Sequence, residues 1–340
     1  MLKTLIGLDI GTQTIKAVQL YRETTISLHG AGYIMTPSVA LASVNPQDEQ
    51  TVAVSINRLV HDLKVSTTDV SASLPSSKVI TRIVQLPAMD EKDLASSIQW
   101  EAEQYIPWPL AKVKLDYVII DRDSNTKKMN VLLVAAPLTL IEKYIRIITA
   151  AGLNPLALET EILASTRTIV NNFPTVSNIL VLLMGASSCE IGLIHNHILI
   201  YTKSIPIGGI TLSRSISHEL AFEPAQAEEY LKTYGLEEDK LEGKIAKIIT
   251  PLFAGIFSEM EKTVSYFKEK YPTEEIKTVV ICGGLAKLPG LFLTITKNLG
   301  LDSQIANPFT NMTVDKNILP VLLPDAPLYS TAVGLALKEI

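Results

Sequence analysis

The 340-residue sequence predicts an α/β fold built on buried sheets. Short apolar runs that end at glycine or proline are typical of strands, and they alternate with apolar residues at helical spacing. A turn of glycine and hydroxyl residues between two strands occurs twice, at Gly11 and Gly185, about half the chain apart. Between these turns, residues 78–152 have the pattern of a compact β-α-β-β-α unit. Apolar residues make up 47% of the chain and charged residues 19%, which suits sheets covered on both faces.

The elements of the first half follow from apolar spacing and from the residues that end them. Asp90 is a predicted helix N-cap followed by acidic residues. Pro107 and Pro109 end that helix, and Gly152 ends the next one. The predicted elements are two strands within 3–18 around a turn at 11–14, a helix at 50–63, a strand at 78–86, a helix at 90–105, strands at 113–120 and 129–135 joined by a polar turn at 123–125, and a helix at 138–151.

The second half repeats the start of the chain, with a buried strand, a glycine turn and further strands. The predicted strands lie at 156–158, 178–184, 190–194, 197–204 and 277–282. The predicted helices lie at 223–234, 241–270 and 330–339. His195 and His197 are expected to alternate on one strand face, where a zinc site is the alternative to an ordinary pair of histidines. Cys189 and Cys282 stand in apolar contexts and are expected to be reduced and buried.

Composition excludes several classes of protein. No apolar run approaches the ~20 residues that a membrane-spanning helix needs. Asp9 interrupts the first apolar segment too early for a signal peptide, so we expect a cytoplasmic protein. The formal net charge is −5 and no basic block occurs, so nucleic acid is not an expected partner.

The two hairpin turns have the chemistry of a phosphate site. Glycine lets the backbone approach a ligand closely, and successive N–H groups and hydroxyls donate to anionic oxygens. Two such turns facing each other would hold a polyphosphate from both sides. A third turn, Gly283-Gly284, follows a strand and could lie against a purine or ribose. Neither a Walker A nor a GxGxxG pattern is present, so the nucleotide site would be of another type.

The two hairpins, the glycine pair and the last helix resemble, in order, the phosphate-1, phosphate-2, adenosine and final connecting motifs of the actin/Hsp70/sugar-kinase superfamily. Within it, three further segments resemble the FtsA-like PilM family of type IV pilus assembly. They are SLPSSKVI at 73–80, QWEAEQYIPWPL at 99–110 and IPIGG at 205–209. The resemblance covers essentially the whole chain.

This resemblance implies a two-lobed actin-like ATPase fold, with duplicated ribonuclease H-like lobes and a small inserted β-α-β-β-α subdomain. The implied order is a first lobe at 1–77, the inserted subdomain at 78–152, a return to the first lobe at 153–176, a second lobe at 177–210, a further subdomain at 211–275, the second lobe again at 276–328 and a closing helix at 329–340.

The resemblance also implies ATP and Mg²⁺ between the lobes. Asp9 would approach Mg²⁺ through water, because Mg²⁺ prefers oxygen ligands and keeps several waters. Glu229 and Lys232, spaced i,i+3, would reach the base or ribose, or else form a surface ion pair. The remaining implied nucleotide contacts are Gly11, Thr12, Gln13, Thr14, Lys16, Gly185, Ala186, Ser187, Ser188, Gly208, Gly209, Gly283, Gly284, Leu285 and Lys287. Gly334 would permit close helix packing or touch the ligand.

One departure from the relatives concerns hydrolysis. They commonly carry aspartate two residues before the second-hairpin glycine, where this chain has Leu183. Glu161 is then the candidate to orient water, ahead of Glu159. Because phosphoryl transfer depends on positioning and charge neutralisation, we expect nucleotide binding with weak or absent hydrolysis, at most a slow ATPase.

The resemblance names a partner as well, the N-terminal cytoplasmic tail of the inner-membrane protein PilN, lying beside the inserted subdomain. Trp100, Tyr105, Pro107 and Trp108 would form part of its groove, or else the core of the subdomain. The protein would then be peripheral at the inner membrane through PilN and other assembly proteins. A filament-forming FtsA-like protein, with self-association, and a small-molecule kinase of the same superfamily are the alternatives.

Overall fold

The computed structural model describes residues 4–22, 24–37, 41, 43, 45–123 and 126–339. Its first half comprises β1 (Ile6–Ile10), β2 (Thr14–Arg22), β3 (Ile26–Met35), α1 (Pro46–Asp62), β4 (Asp69–Leu74), β5 (Ile80–Pro87), α2 (Glu91–Glu103), β6 (Val113–Asp123), β7 (Lys128–Pro137), α3 (Leu138–Ala150), β8 (Asn154–Thr160) and α4 (Glu161–Asn172). Its second half comprises β9 (Asn178–Met184), β10 (Cys189–His195), β11 (Ile198–Ile205), α5 (Gly209–Leu220), α6 (Pro224–Tyr234), α7 (Lys244–Lys270), β12 (Thr278–Cys282), α8 (Leu291–Leu299), β13 (Asp302–Ile305), α9 (Leu319–Leu322) and α10 (Ser330–Ala336).

Two five-stranded sheets with the same topology form the two lobes. The first has the order β3-β2-β1-β4-β8 and the second β11-β10-β9-β12-β13. In each sheet the first three strands along the chain are antiparallel, and the next two strands join in parallel. The hairpins β1–β2 and β9–β10 therefore occupy equivalent positions, as the repeated turn predicts.

A smaller three-stranded sheet, β5-β7-β6, lies between β4 and β8 in the chain. With α2 it has its own core, which includes Leu94, Ile98 and Leu133. The predicted β-α-β-β-α order is present, but α3 packs elsewhere. Its Tyr144 and Ile148 lie in the core of the first lobe with the side chains of α1. The separately packed unit therefore ends before α3, because the apolar face of α3 is buried against α1.

Helix ends follow the predicted capping chemistry in most places. Asp90 caps α2, its Oδ1 accepting from Asp93 N at 2.9 Å. The long helix α7 begins at Lys244 and not at the predicted position 241, because Leu241 and Glu242 have positive φ. The helix α10 ends at Ala336, three residues before the predicted end. The predicted turn residues Ser124 and Asn125 lie outside the described residues.

The expected sharing of one strand face by His195 and His197 is wrong. Asn196 and His197 have φ of 48° and 67°, which makes them the two-residue turn of the β10–β11 hairpin. His195 ends its strand, lies 3.2 Å from Glu274 Oε1 and stacks on the ring of Tyr271. Among the described residues, no group of three His, Cys, Asp or Glu side chains could hold a metal ion.

Both cysteines are buried and free, as predicted. Burial raises the pKa of each thiol to about 12, so both are protonated at neutral pH. Within the described part of the chain, no helix has the length and apolar composition needed to cross a membrane.

Candidate functional site: a cleft between two hairpin turns

A cleft of about 420 Å³ lies between the two five-stranded sheets. It brings together most of the residues that the sequence singles out, from both lobes. The predicted residues that line it are Asp9, Gly11, Thr12, Gln13, Thr14, Lys16, Glu161, Gly185, Ala186, Ser187, Ser188, Gly209, Lys232, Gly283, Gly284, Leu285 and Lys287. The motifs at residues 9–16, 185–188 and 283–287 therefore meet in space although they are far apart in the chain.

The two hairpin turns have the same backbone geometry. Gly11 N donates to Thr14 O at 3.1 Å, and Gly185 N donates to Ser188 O at 3.0 Å. A Cβ at either glycine would lie within 3 Å of that carbonyl oxygen, so each turn requires glycine. The turns also face each other across the cleft, where the hydroxyl of Thr12 lies 3.3 Å from that of Ser187.

Gly208 supports the second turn from behind and does not line the cleft wall. A Cβ on Gly208 would lie 2.6 Å from Ala186 O and 2.7 Å from Ser188 N. Next to it, Gly209 N donates to Gly185 O at 3.1 Å, so the start of α5 is bonded to the turn. The glycine pair therefore fixes the second hairpin against α5.

Asp9 and Lys16 form a buried ion pair at the base of the first hairpin. Lys16 Nζ donates to Asp9 Oδ2 at 2.9 Å, and the two residues are 8% and 5% exposed, the lysine being the more exposed. Ser73 Oγ donates to the other oxygen of Asp9 at 2.7 Å. These bonds satisfy the carboxylate and fix its orientation at the cleft.

Glu161 is the first residue of α4 and points toward the same region. Its Oε2 accepts from Ser76 N at 3.2 Å. Burial, and then the charge of Asp9, raise the pKa of Glu161 to about 7. Glu159, the less favoured candidate, is held by Arg167 at 2.8 Å and by Lys338 at 3.5 Å, which is a structural role.

The residue that sequence reasoning missed is Glu190, on β10. It is 2% exposed and lines the cleft. Its Oε1 accepts from Ser204 Oγ at 2.8 Å and from Ser188 Oγ at 3.4 Å. Burial, and then the charge of Glu161, raise the pKa of Glu190 to about 8. The available signal was its spacing, since it follows Gly185 by the same interval as Lys16 follows Gly11.

At another part of the cleft, Glu228 lies where Glu229 was predicted, beside Lys232. Lys232 forms an ion pair with Glu228 at 2.6 Å, and Glu228 lines the cleft. Glu229 is exposed and does not line it. One residue further along a helix turns the side chain by about 100°, which explains why Glu228 and not Glu229 is on the cleft side.

A wall of the cleft comes from the 3-10 segment Leu323–Tyr329, which the sequence does not mark as functional. Pro327 O accepts from Gly283 N at 2.9 Å. Lys287 Nζ donates to Pro324 O at 2.6 Å, which fixes the lysine against this wall. Gly283 has φ of +89° and an added Cβ would overlap Met184 O, so this position also requires glycine.

The four aromatic and proline residues near the end of α2 divide into two pairs. Tyr105 and Trp108 pack against the core of the inserted subdomain. Tyr105 OH donates to Glu101 Oε1 at 3.0 Å, and the Arg82 guanidinium covers its ring. Trp100 is 75% exposed and Pro107 is also exposed. The first pair is partly buried against the subdomain core, and the second pair faces solvent.

The duplicated lobes with a cleft between their hairpins define a two-lobed actin-like ATPase fold. The sequence model of the family described as "Type IV pilus assembly protein PilM" matches residues 7–340. The chain belongs to this family.

Solved structures agree on the fold. A chain of the "PilM-PilN type IV pilus biogenesis complex" is 24% identical, with a TM-score of 0.86, over 98% of this chain and 97% of that one. Ethanolamine utilization protein EutJ from Carboxydothermus hydrogenoformans is 16% identical with a TM-score of 0.54, over 98% and 89% of the two chains. MreB 5 of Spiroplasma citri, bound to AMPPNP, is 13% identical with a TM-score of 0.53, over 98% and 94%.

Proposed function

We propose that this protein is an ATP-binding scaffold of type IV pilus assembly that binds the N-terminal cytoplasmic tail of a PilN-like inner-membrane protein. The observation that carries the nucleotide part is the pair of matched turns that meet at Thr12 and Ser187. Membership of the PilM family and the similarity to a chain of a PilM-PilN complex support the partner. Binding that tail would hold the protein at the inner face of the membrane.

The cleft fits an adenine nucleotide by its donor groups. Backbone N–H groups and hydroxyls of both turns, at 11–14 and 185–188, would donate to the phosphates, and Lys16 Nζ would be a further donor. Gly283, Gly284 and Leu285 would lie along the adenosine, with Glu228 and Lys232 near the ribose or base. MreB 5 of Spiroplasma citri, with the same fold, is bound to AMPPNP.

Mg²⁺ fits the same site as a companion of the phosphates, which it would neutralise. Asp9 would reach it through water, because its carboxylate is already bonded to Lys16 and Ser73. We propose slow hydrolysis or none, since Leu183 places an apolar side chain where the superfamily that the chain resembles commonly carries aspartate. Glu161 would be left to orient the attacking water from the first lobe.

Nucleotide binding is tested by titrating the purified protein with ATP and ADP in the presence of Mg²⁺. We expect saturable binding and a turnover well below one per second. Thr12→Val removes a hydroxyl from the first turn and should weaken binding by about tenfold, the value of one charge-assisted hydrogen bond. Thr51→Val removes a comparable exposed hydroxyl on α1 and should leave the affinity unchanged. Absence of saturable binding would contradict the nucleotide site, and turnover of several per second would contradict slow hydrolysis.

The partner site is proposed beside the inserted subdomain. Its sheet order, β5-β7-β6, makes β6 an edge strand that an extended peptide could join by main-chain hydrogen bonds. Trp100, on α2 of the same subdomain, is exposed, and large aromatic side chains are favoured where peptides dock. Tyr105, Pro107 and Trp108 would contribute to the groove next to it.

Trp100→Ala is expected to weaken binding of a PilN-like tail peptide by at least about tenfold, as loss of an exposed aromatic anchor does. Because the side chain is exposed, the melting temperature should not change. Leu293→Ala removes a similarly exposed apolar side chain from α8 in the second lobe and should leave the peptide affinity unchanged. Fluorescence anisotropy with a labelled tail peptide measures both. Equal affinities of the wild type and Trp100→Ala would remove Trp100 from the partner site.

A further inference from the structure

The two hairpins share one register, so each position in one has an equivalent in the other. Asp9 lies opposite Lys16 across the first hairpin, and Leu183 lies opposite Glu190 across the second. In both, the first residue is two positions before the turn glycine. Directly opposite residues of an antiparallel pair are on the same face of the sheet, with Cβ atoms about 5 Å apart. Leu183 and Glu190 are therefore neighbours on the cleft side.

At the equivalent position, the first lobe has a buried lysine and the second lobe has a buried carboxyl. Lys16 and Glu190 are both almost fully buried, and both line the cleft. Asp9 neutralises Lys16, whereas the hydrogen-bond partners of Glu190 are the hydroxyls of Ser188 and Ser204. The first hairpin thus has its acidic side chain, Asp9, on its first strand, and the second hairpin has its acidic side chain, Glu190, on its second strand.

We propose that Glu190 supplies, from β10, the carboxylate that the second hairpin lacks at Leu183, and that it positions the nucleotide-bound Mg²⁺ through water. This inference rests on the proposed nucleotide binding. Glu190 is a positioning residue here, since Mg²⁺ keeps most of its waters and bonds to the phosphates.

The charges around the cleft support this role. Asp9 and Lys16 cancel, while Glu161 and Glu190 come from opposite lobes and the charge of Glu161 raises the pKa of Glu190. A cation bound between the phosphates and these two buried carboxyls would lower the pKa of both and let them ionise. The buried Ser76 hydroxyl lies near both carboxyls, and its hydrogen bonding lowers the pKa of each, against the effect of burial.

The experiment compares ADP affinity in Mg²⁺ and in EDTA, so that hydrolysis has no part in the readout. In the wild type, Mg²⁺ should tighten ADP binding. Glu190→Gln should lose about 10- to 100-fold of that tightening, as outer partners of metal sites do. Its affinity in EDTA should equal that of the wild type, because without a cation the buried Glu190 carboxyl keeps its proton below pH 8 and glutamine is likewise uncharged.

The double variant Leu183→Asp with Glu190→Gln moves the carboxylate to the neighbouring strand and should restore the Mg²⁺ effect. Glu219→Gln removes one exposed charge from the far end of α5 and should keep the wild-type ratio. Thermal melting verifies that each variant is folded. Glu190→Asp, which keeps the charge but shortens the side chain, provides a second variant and should lose part of the effect.

An undiminished Mg²⁺ effect in Glu190→Gln would overturn the inference. Failure of the folded double variant to regain the effect would overturn the equivalence of the two positions. Failure of the wild type to bind ADP in either condition would instead refute nucleotide binding itself, and the two failures are therefore distinct.

Discussion

Gly334→Ala is expected to lower the free energy of unfolding by about 3 kcal/mol or more, since overpacking against backbone leaves little room to relax. Gly334 lies in α10, where an added Cβ would overlap the backbone carbonyl of Ala164 in α4. The two helices are also joined by a hydrogen bond from Thr168 Oγ1 to Ser330 O at 2.7 Å and by the Ser165–Thr331 hydroxyl pair at 2.9 Å. Alanine would force these contacts apart.

Urea denaturation measures the effect, and Gly255→Ala is the matched control. Gly255 is an exposed position inside α7, where an added Cβ would meet no heavy atom of the described residues within 4 Å. Alanine favours a helix over glycine by about 1 kcal/mol, so this variant should be slightly more stable than the wild type. If the urea midpoint of unfolding of Gly334→Ala equals that of the wild type, the close approach of α4 and α10 does not require glycine at this position.

The same contact resolves a question that the sequence leaves open. Sequence reasoning assigns Gly334 either to helix packing or to the ligand. In the structure Gly334 meets Ala164 and Thr168 of α4, which is a packing role. The alternatives could not be separated earlier, because a glycine in a predicted helix does not indicate which neighbour comes close to it.

The elements predicted well are those with local signals. The strand–glycine–strand pattern identifies β1, β2, β9 and β10, because alternating apolar residues and the turn glycines are close in sequence. The N-cap Asp90 and the stop at Gly152 place α2 and α3 for the same reason.

The elements that the sequence does not predict depend on tertiary contacts. They are the strands β3, β4 and β13 and the helices α4, α5 and α9. In α4 the buried face is made largely of small and polar residues, among them Ala164, Ser165 and Thr168, since α10 approaches so closely. Small polar residues on a buried face do not produce the apolar periodicity that identifies a helix.

The candidate site shows the same division. The glycine and hydroxyl residues of both turns could be predicted, because their chemistry is local. The wall at Leu323–Tyr329 could not, since its two prolines resemble an ordinary loop, and tertiary hydrogen bonds from Gly283 N and Lys287 Nζ bring it to the cleft. Glu190 was missed because the repeated turn was compared by its glycines, while the equivalent strand positions carry opposite charges.

Glu190→Gln is expected to make the protein less sensitive to pH, with a gain in stability that grows from pH 5 to pH 8. Burial raises the pKa of Glu190 from the ordinary 4.5 to about 8 in the folded state. Between these values the folded protein holds a proton that the unfolded chain has released. The free energy of unfolding therefore falls as the pH rises through this window. The contribution of Glu190 is fully present below the unfolded pKa and no longer changes above the folded pKa.

Glutamine has no proton to lose and can still bond to Ser204, so it removes this penalty. The expected gain over the wild type at pH 8, relative to pH 5, is on the order of 3 kcal/mol. Urea denaturation at a series of pH values measures it. Glu103→Gln, at an exposed position at the end of α2, should give the wild-type pH dependence. If Glu190→Gln loses as much stability as the wild type between pH 5 and pH 8, another group carries the pH dependence. A gain at pH 8 together with a lost Mg²⁺ effect would show that the carboxylate is kept at a cost in stability for its role in the cleft.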